Sequence, residues 1–400
     1  MSERPNSRGV SRRGLLTGGA AAVGGALVGA ASATAVAAST TDPAPAPRTE
    51  PADYGQQREP FHGRRQAGVD TRPQAFASFL AFALKPGTDR AALRRMLRLL
   101  SDDAARLTQG RPALGDTEAD LATTPARLTV TFGFGPGLYR AAGLASPLAD
   151  LPRFPIDRLQ ARWSGGDLLL QVCADDPTTV AHAQRMLIKD ARPFASVRWV
   201  QRGFRRGRGV EADGATHRNL MGQLDGTVNP KPGTPSYDPA VWSGDSTTLV
   251  LRRIRMEIET WDKLSRTDKE LVTGRRLDTG APLTGTAEHD EPDFTAVDAS
   301  GLPVMPDFAH VTRAHVSDER LRILRRPYSY DGEPDAAGVP DSGLIFAAFQ
   351  ADITEQFIPI QQRLAEQDLM NEWTTPIGSA VFAIPPGCAE GGWVGEQVLS

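Results

Sequence analysis

Over residues 75–84 the aromatic and aliphatic side chains recur with a period near two, the pattern of a β-strand with one face buried, and Pro86-Gly87 ends it. The period then changes. From Asp89 to Leu100 the apolar residues Leu93, Met96, Leu97 and Leu100 fall at helical spacing, with Arg94, Arg95 and Arg98 off that face. Two further strands are predicted over 128–134 and 166–173, and Asp176-Pro177 opens a helix that runs through Met186. The far end of the chain repeats the unit. Residues 343–352 form an apolar strand between a Gly and an Asp, followed by a helix through Gln361 and Leu364, and 248–256 answers the strand at 75. The pattern therefore predicts an α+β protein made of two copies of one unit, each an antiparallel sheet covered by helices on one face. The boundary between the copies falls near 237–243, which is rich in Pro, Gly and Ser.

The first forty residues do not fit this scheme. Ser11-Arg12-Arg13-Gly14-Leu15-Leu16 precedes a Gly/Ala-rich stretch with no charged side chain before Asp42, and Ala35-Val36-Ala37 offers a small-residue cleavage site. A paired arginine ahead of a mildly apolar core is the pattern of a twin-arginine export signal, and such a core is a poor membrane span. The expected organisation is a leader over 1–37, a flexible Pro-rich tether over 38–66, and domains over 67–236 and 237–400. The expected destination is extracellular or within the cell envelope. Because that route carries folded proteins, a cofactor enzyme becomes the leading class. The 45 Lys+Arg against 48 Asp+Glu give a net charge of −3, which argues against a general nucleic-acid binder. Two cysteines exclude a disulfide scaffold, and Cys173 and Cys388 are expected to stay unpaired. Six histidines remain as metal ligands or bases.

Between the copies lies Arg218-Asn219-Leu220-Met221-Gly222-Gln223-Leu224-Asp225-Gly226-Thr227-Val228-Asn229-Pro230. On turn chemistry alone Asp225 would cap a backbone amide. The whole run, however, resembles the signature loop of the dye-decolorizing peroxidases, whose Asp lies over the distal face of a haem. Asp307-Phe308-Ala309-His310-Val311-Thr312-Arg313-Ala314-His315 offers two histidines that could hardly share one metal at five-residue spacing. The family's Pro-x-x-Ala-His pattern selects His310 as the axial ligand and leaves His315 as a structural or neighbouring group. Ile323-Leu324-Arg325-Arg326 looks like the family's Ile-Leu-Arg strand, which makes Arg325 the distal cation and points Arg326 away. Phe132–Pro136, Trp163–Asp167, Gly280–Leu283 and Phe349–Asp352 are also similar to family stretches and stand in the expected order.

The resemblance implies two ferredoxin-like units in tandem, forming a dimeric α/β-barrel-like fold around one haem b per chain, in the A-type branch that includes deferrochelatases. It implies hydrogen peroxide and an organic electron donor as partners, a ferryl intermediate, and twin-arginine machinery for export. A homo-oligomer is left open. Asp225 would act as acid/base and Arg325 would stabilise developing negative charge. Gly226, Thr227, His217 and Arg325 would border the cofactor, and the second ring nitrogen of His310 would bind a carboxylate or carbonyl. An Asp, ionising near 4 rather than about 6.5 for a His, predicts an acidic optimum. Two other readings stand beside this one: haem or iron handling during uptake, and a non-catalytic exported binding module. The absence of H-x-H, H-x-x-E-H and Cys/His clusters disfavours a zinc or copper enzyme.

Overall fold

A computed structural model describes residues 53–212, 214–334 and 338–400. The leader expected over 1–37 and the tether as far as residue 52 lie outside the described residues. The rest of the expected tether does not behave as one. Gln66 is buried and donates its side-chain amide to the carbonyls of Phe132 (3.0 Å) and Pro385 (2.9 Å). Phe61 packs into the main core, and the Ala126 and Arg127 amides donate to Gly55 O and Gln57 O. Residues 53–66 are thus part of the folded body. They carry Pro60 and the charges of Arg58, Glu59, Arg64 and Arg65, so their polar composition resembles a linker while Phe61 and Gln66 anchor them.

Among the described residues the chain forms strands β1 (Phe76–Leu84), β2 (Thr129–Phe134), β3 (Leu168–Ala174), β4 (Ala195–Phe204), β5 (Thr247–Met256), β6 (Leu324–Arg325), β7 (Tyr328–Asp331), β8 (Ser342–Gln350) and β9 (Thr374–Ile384). Every ladder is antiparallel. The first four strands lie in the order β2-β3-β1-β4, and the later ones repeat it as β7-β8-β5-β9, with β6 also on β8. This is the ferredoxin-like order, used twice. The copies join at Phe134↔Ala383 and Phe204↔Ser329, which closes the strands into a barrel.

Closure explains why the one-face expectation for β1 fails. Leu80 and Phe82 pack outward against the helices Arg90–Thr108 and Pro177–Ala191, capped by Asp89 and Asp176. Phe79 and Ala81 face the other way, into a barrel interior shared with Trp199, Leu249, Tyr328, Phe349 and Phe382. A strand buried on both sides reads as a nearly continuous apolar run. His182 on the second of these helices is buried, with Nε2 2.9 Å from Asp116 Oδ2. Cys173 and Cys388 are both buried and free.

Candidate active site

The loop that carries Asp225 is a tight hairpin. The Asp225 amide donates to His217 O (2.7 Å) and the Asn219 amide to Gln223 O (2.9 Å). The Asn219 Oδ1 atom accepts from the amides of Met221 (3.0 Å) and Gln223 (3.2 Å). Gly226 follows Asp225 at φ +138°, where a Cβ would meet only ordinary contacts, so the backbone angle is what calls for glycine. The next residue turns elsewhere: Thr227 donates its hydroxyl to Glu288 Oε1 (2.9 Å).

Arg325 arrives from the opposite side on β6, whose register sets it across from Ala348. Its Nη1 donates to Asp225 Oδ1 at 2.7 Å, and both side chains are largely buried. The Asn229 side chain fixes the arginine's backbone from both ends, donating to Arg325 O (2.7 Å) and accepting from Arg325 N (3.1 Å). Arg326 points away, toward Thr71 O and Gln74 Oε1. Asp225, Gly226, Asn229, Arg325, Arg205 and His217 border one cavity of about 270 Å³. In it the His217 Nε2 is buried without a hydrogen-bond partner. Burial, helped by the charge of Arg205, pushes His217 down to about 4, which keeps its ring neutral at ordinary pH.

His310 begins the short helix His310–Ala314, directly after the fully buried Ala309. Its Nδ1 lies 2.6 Å from Asp368 Oδ2, while Asp368 Oδ1 accepts from the Met370 amide (3.0 Å). The Leu369 amide donates to Phe308 O (3.1 Å), so the two segments are tied on both sides of the contact. Burial lowers the His310 pKa, but the adjacent Asp368 carboxylate and its hydrogen bond outweigh it and hold the group above the usual imidazole range. The ring also feels Arg325 and Asp225, with opposite signs. With Nδ1–H given to Asp368, the neutral tautomer carries its lone pair on Nε2, the atom a haem iron requires. His315 is exposed, with its ring 4.6 Å from that of Phe294.

The candidates thus fall into two groups: Asp225, Gly226, His217 and Arg325 around one cavity, and His310 with Asp368. Sequence reasoning missed Asp368, whose partner is 58 positions away, and the clamp by Asn229. It left the acceptor of His310 open, and the structure supplies it.

Barrel and donor set together fit the class of haem peroxidases. The comparisons with known proteins agree. The family described as Dyp-type peroxidase, N-terminal, matches residues 66–205, and its C-terminal counterpart matches 216–389. The dye-decolorizing peroxidase of Thermobifida fusca is 38% identical over the whole of both chains. A deferrochelatase of Yersinia pestis is 35% identical, covering 95% of this chain and 92% of its own. Among solved structures, a DyP-type peroxidase from Cellulomonas bogoriensis superposes with TM-score 0.84 at 50% identity, over 87% of this chain and 99% of its own. Ferric DtpA from Streptomyces lividans gives 0.85 at 39%, over 88% and 100%. The chain belongs to the Dyp-type peroxidase family.

Proposed function

We propose that His310 would hold the haem iron through Nε2 and that Asp225 and Arg325 would handle peroxide. The observation that carries this reading is the pairing of the two groups: Arg325 on Asp225 at 2.7 Å, and His310 on Asp368 at 2.6 Å with Nε2 left for iron. Bound haem supplies the iron at which peroxide is reduced and an organic donor is oxidised. Asp225 takes the proton from the inner peroxide oxygen and delivers it to the outer one. Arg325, charged at every working pH, offsets the negative charge that develops as the oxygens separate. Asp368 fixes the His310 ring and raises its basicity, and Asn229 holds the backbone of Arg325 in place. Gly226 and His217 border the cofactor, while Thr227, expected beside them, spends its hydroxyl on Glu288. The leader directs the mature chain, cleaved after Ala37, out of the cytoplasm by the twin-arginine route. The domain boundary falls at residues 236 and 237.

The test is Asp225→Ala in the haem-loaded protein. Its Soret band should persist while the reaction with peroxide slows by roughly 10²- to 10⁴-fold. An unchanged rate would remove Asp225 from the reaction. A second reading, haem or iron handling, is favoured by the deferrochelatase of Yersinia pestis at 35% identity. Iron released from haem with the porphyrin left whole, at a rate exceeding donor oxidation, would give that reading precedence.

A further inference from the structure

The hairpin that carries Asp225 rests on residues 273–288, which supply no member of the two site groups. Gln223 Nε2 donates to Thr273 Oγ1 (3.1 Å), and Arg218 donates through Nη1 to Leu277 O and through Nη2 to Asp278 O. Gly280 lies in the left-handed region at φ +72°, and a Cβ there would stand 2.5 Å from Leu224 Cδ1 and 3.2 Å from Glu288 Cγ. Glycine therefore lets this stretch press directly against both.

Glu288 ends the stretch and differs from the residues after it. In the acidic run Glu288-His289-Asp290-Glu291, His289 and Glu291 are exposed, and Asp290 Oδ2 accepts from the Thr286 (2.7 Å) and Ala287 (2.9 Å) amides. Glu288 turns toward the hairpin instead. Its Oε1 accepts from Thr216 Oγ1, directly before His217, and from Thr227 Oγ1 (2.9 Å), two residues beyond Asp225. One carboxylate oxygen thus closes the hairpin at its open end, beside the bond from the Asp225 amide to His217 O (2.7 Å). Hydrogen bonds to a carboxylate run about twice as strong as neutral ones. Glu288 is itself held, because the buried Arg275 donates from Nη1 to Glu288 O (2.8 Å) and to Gly280 O (2.6 Å).

We propose that Glu288 is a positioning residue for Asp225, a latch that draws Thr216 and Thr227 together and so sets where the Asp225 carboxylate meets Arg325. It bonds neither of the two directly and acts through the hairpin backbone. Displacing a reacting group by about 1 Å costs on the order of 10²-fold in rate. The 2.7 Å contact between Asp225 and Arg325 would not survive such a shift unchanged. The effect on rate rests on Asp225 acting on peroxide; the effect on the hairpin does not.

The experiment uses the haem-loaded full chain and compares Glu288→Ala with Glu288→Gln, which keeps an acceptor oxygen. In Glu288→Ala the peptide spanning 216–228 should exchange its amide hydrogens faster, read by mass spectrometry. Its reaction with peroxide should slow by roughly tenfold to hundredfold while the Soret band persists. Glu288→Gln should regain the slow exchange and a rate within about threefold of native. Thr216→Val/Thr227→Val removes both donors, should reproduce the alanine result, and replaces it if Glu288→Ala fails to fold. Because the latch acts through Asp225, Asp225→Ala/Glu288→Ala should be no slower than Asp225→Ala. A further slowing in that double variant overturns the positioning role, and so does a glutamine variant as slow as the alanine one. Equal exchange in native chain and Glu288→Ala overturns the latch itself. If Asp225→Ala reacts at the native rate, the peroxide reading falls, and the exchange difference alone decides whether the latch stands.

Discussion

The two copies of the ferredoxin-like unit share a strand order but not a purpose. In the first, the helices Arg90–Thr108 and Pro177–Ala191 seal the outer face of the sheet over one continuous core, with Leu93, Met96, Leu97 and Leu100 fully buried. In the second, the outer apolar surface is divided between two smaller clusters, one around Phe154, Val250 and Phe357, the other around Met221, Trp261 and Met370. His310, Asp368, Asp225 and Arg325 all belong to the second copy or to the loop leading into it. Duplication leaves one copy free to supply packing while the other gives up continuous cover for polar, charged positions. Stability and chemistry then depend on different residues.

The sharpest way to break this contrast is to remove His310. His310→Ala should lose the haem absorbance altogether, whereas His315→Ala should keep it, as read from the Soret band of the purified proteins. The reverse result would move the ligand to an exposed residue and dissolve the assignment. A core truncation in the first copy tests the other side. Leu97→Ala should cost about 2–5 kcal/mol in denaturant unfolding. The peroxidase rate per haem-loaded molecule should stay unchanged, and a rate falling in step with stability would show that the copies are not functionally separate.

The smallest effect concerns pH. Asp190 is raised from the ordinary 3.8 to about 8, by burial first and then by the hydrogen bond and charge of Asp103 on the neighbouring helix, with Lys189 opposing. A carboxyl whose pKa is raised on folding contributes stability that is complete below about 4 and is lost as pH climbs toward about 8. The native chain should therefore melt a few degrees lower at pH 9 than at pH 5. Asp190→Asn should flatten that slope, and equal slopes would take the device out of the first copy.

Much of this was legible before any coordinates. Asp225, His310 and Arg325 stand in local runs whose neighbours single them out as candidates, and the repeated strand-helix pattern exposed the duplication. Other parts were hidden for physical reasons. β4 carries exposed Ser196, Val197 and Arg198 on one stretch, and β9 contains Pro376 and Gly378, so neither shows a clean alternation. Asp368 lies at the end of one helix and finds its partner at the start of another, a pairing that only the tertiary fold creates. The inner face of β1 required the barrel to close.

One junction in the strand-to-strand passage from β6 to β7 has a mechanical consequence. Consecutive residues there grip opposite parts of the molecule: Arg325 holds Asp225, and Arg326 holds Thr71 O and Gln74 Oε1 in the segment leading into β1. The peptide bond between them acts as a rigid pivot about 3.8 Å long from Cα to Cα. The segment before β1 cannot creep along its own axis without tugging on Arg325. The strands β1–β4, which carry neither Asp225 nor Arg325, thereby serve as the anchor against which that pair is braced.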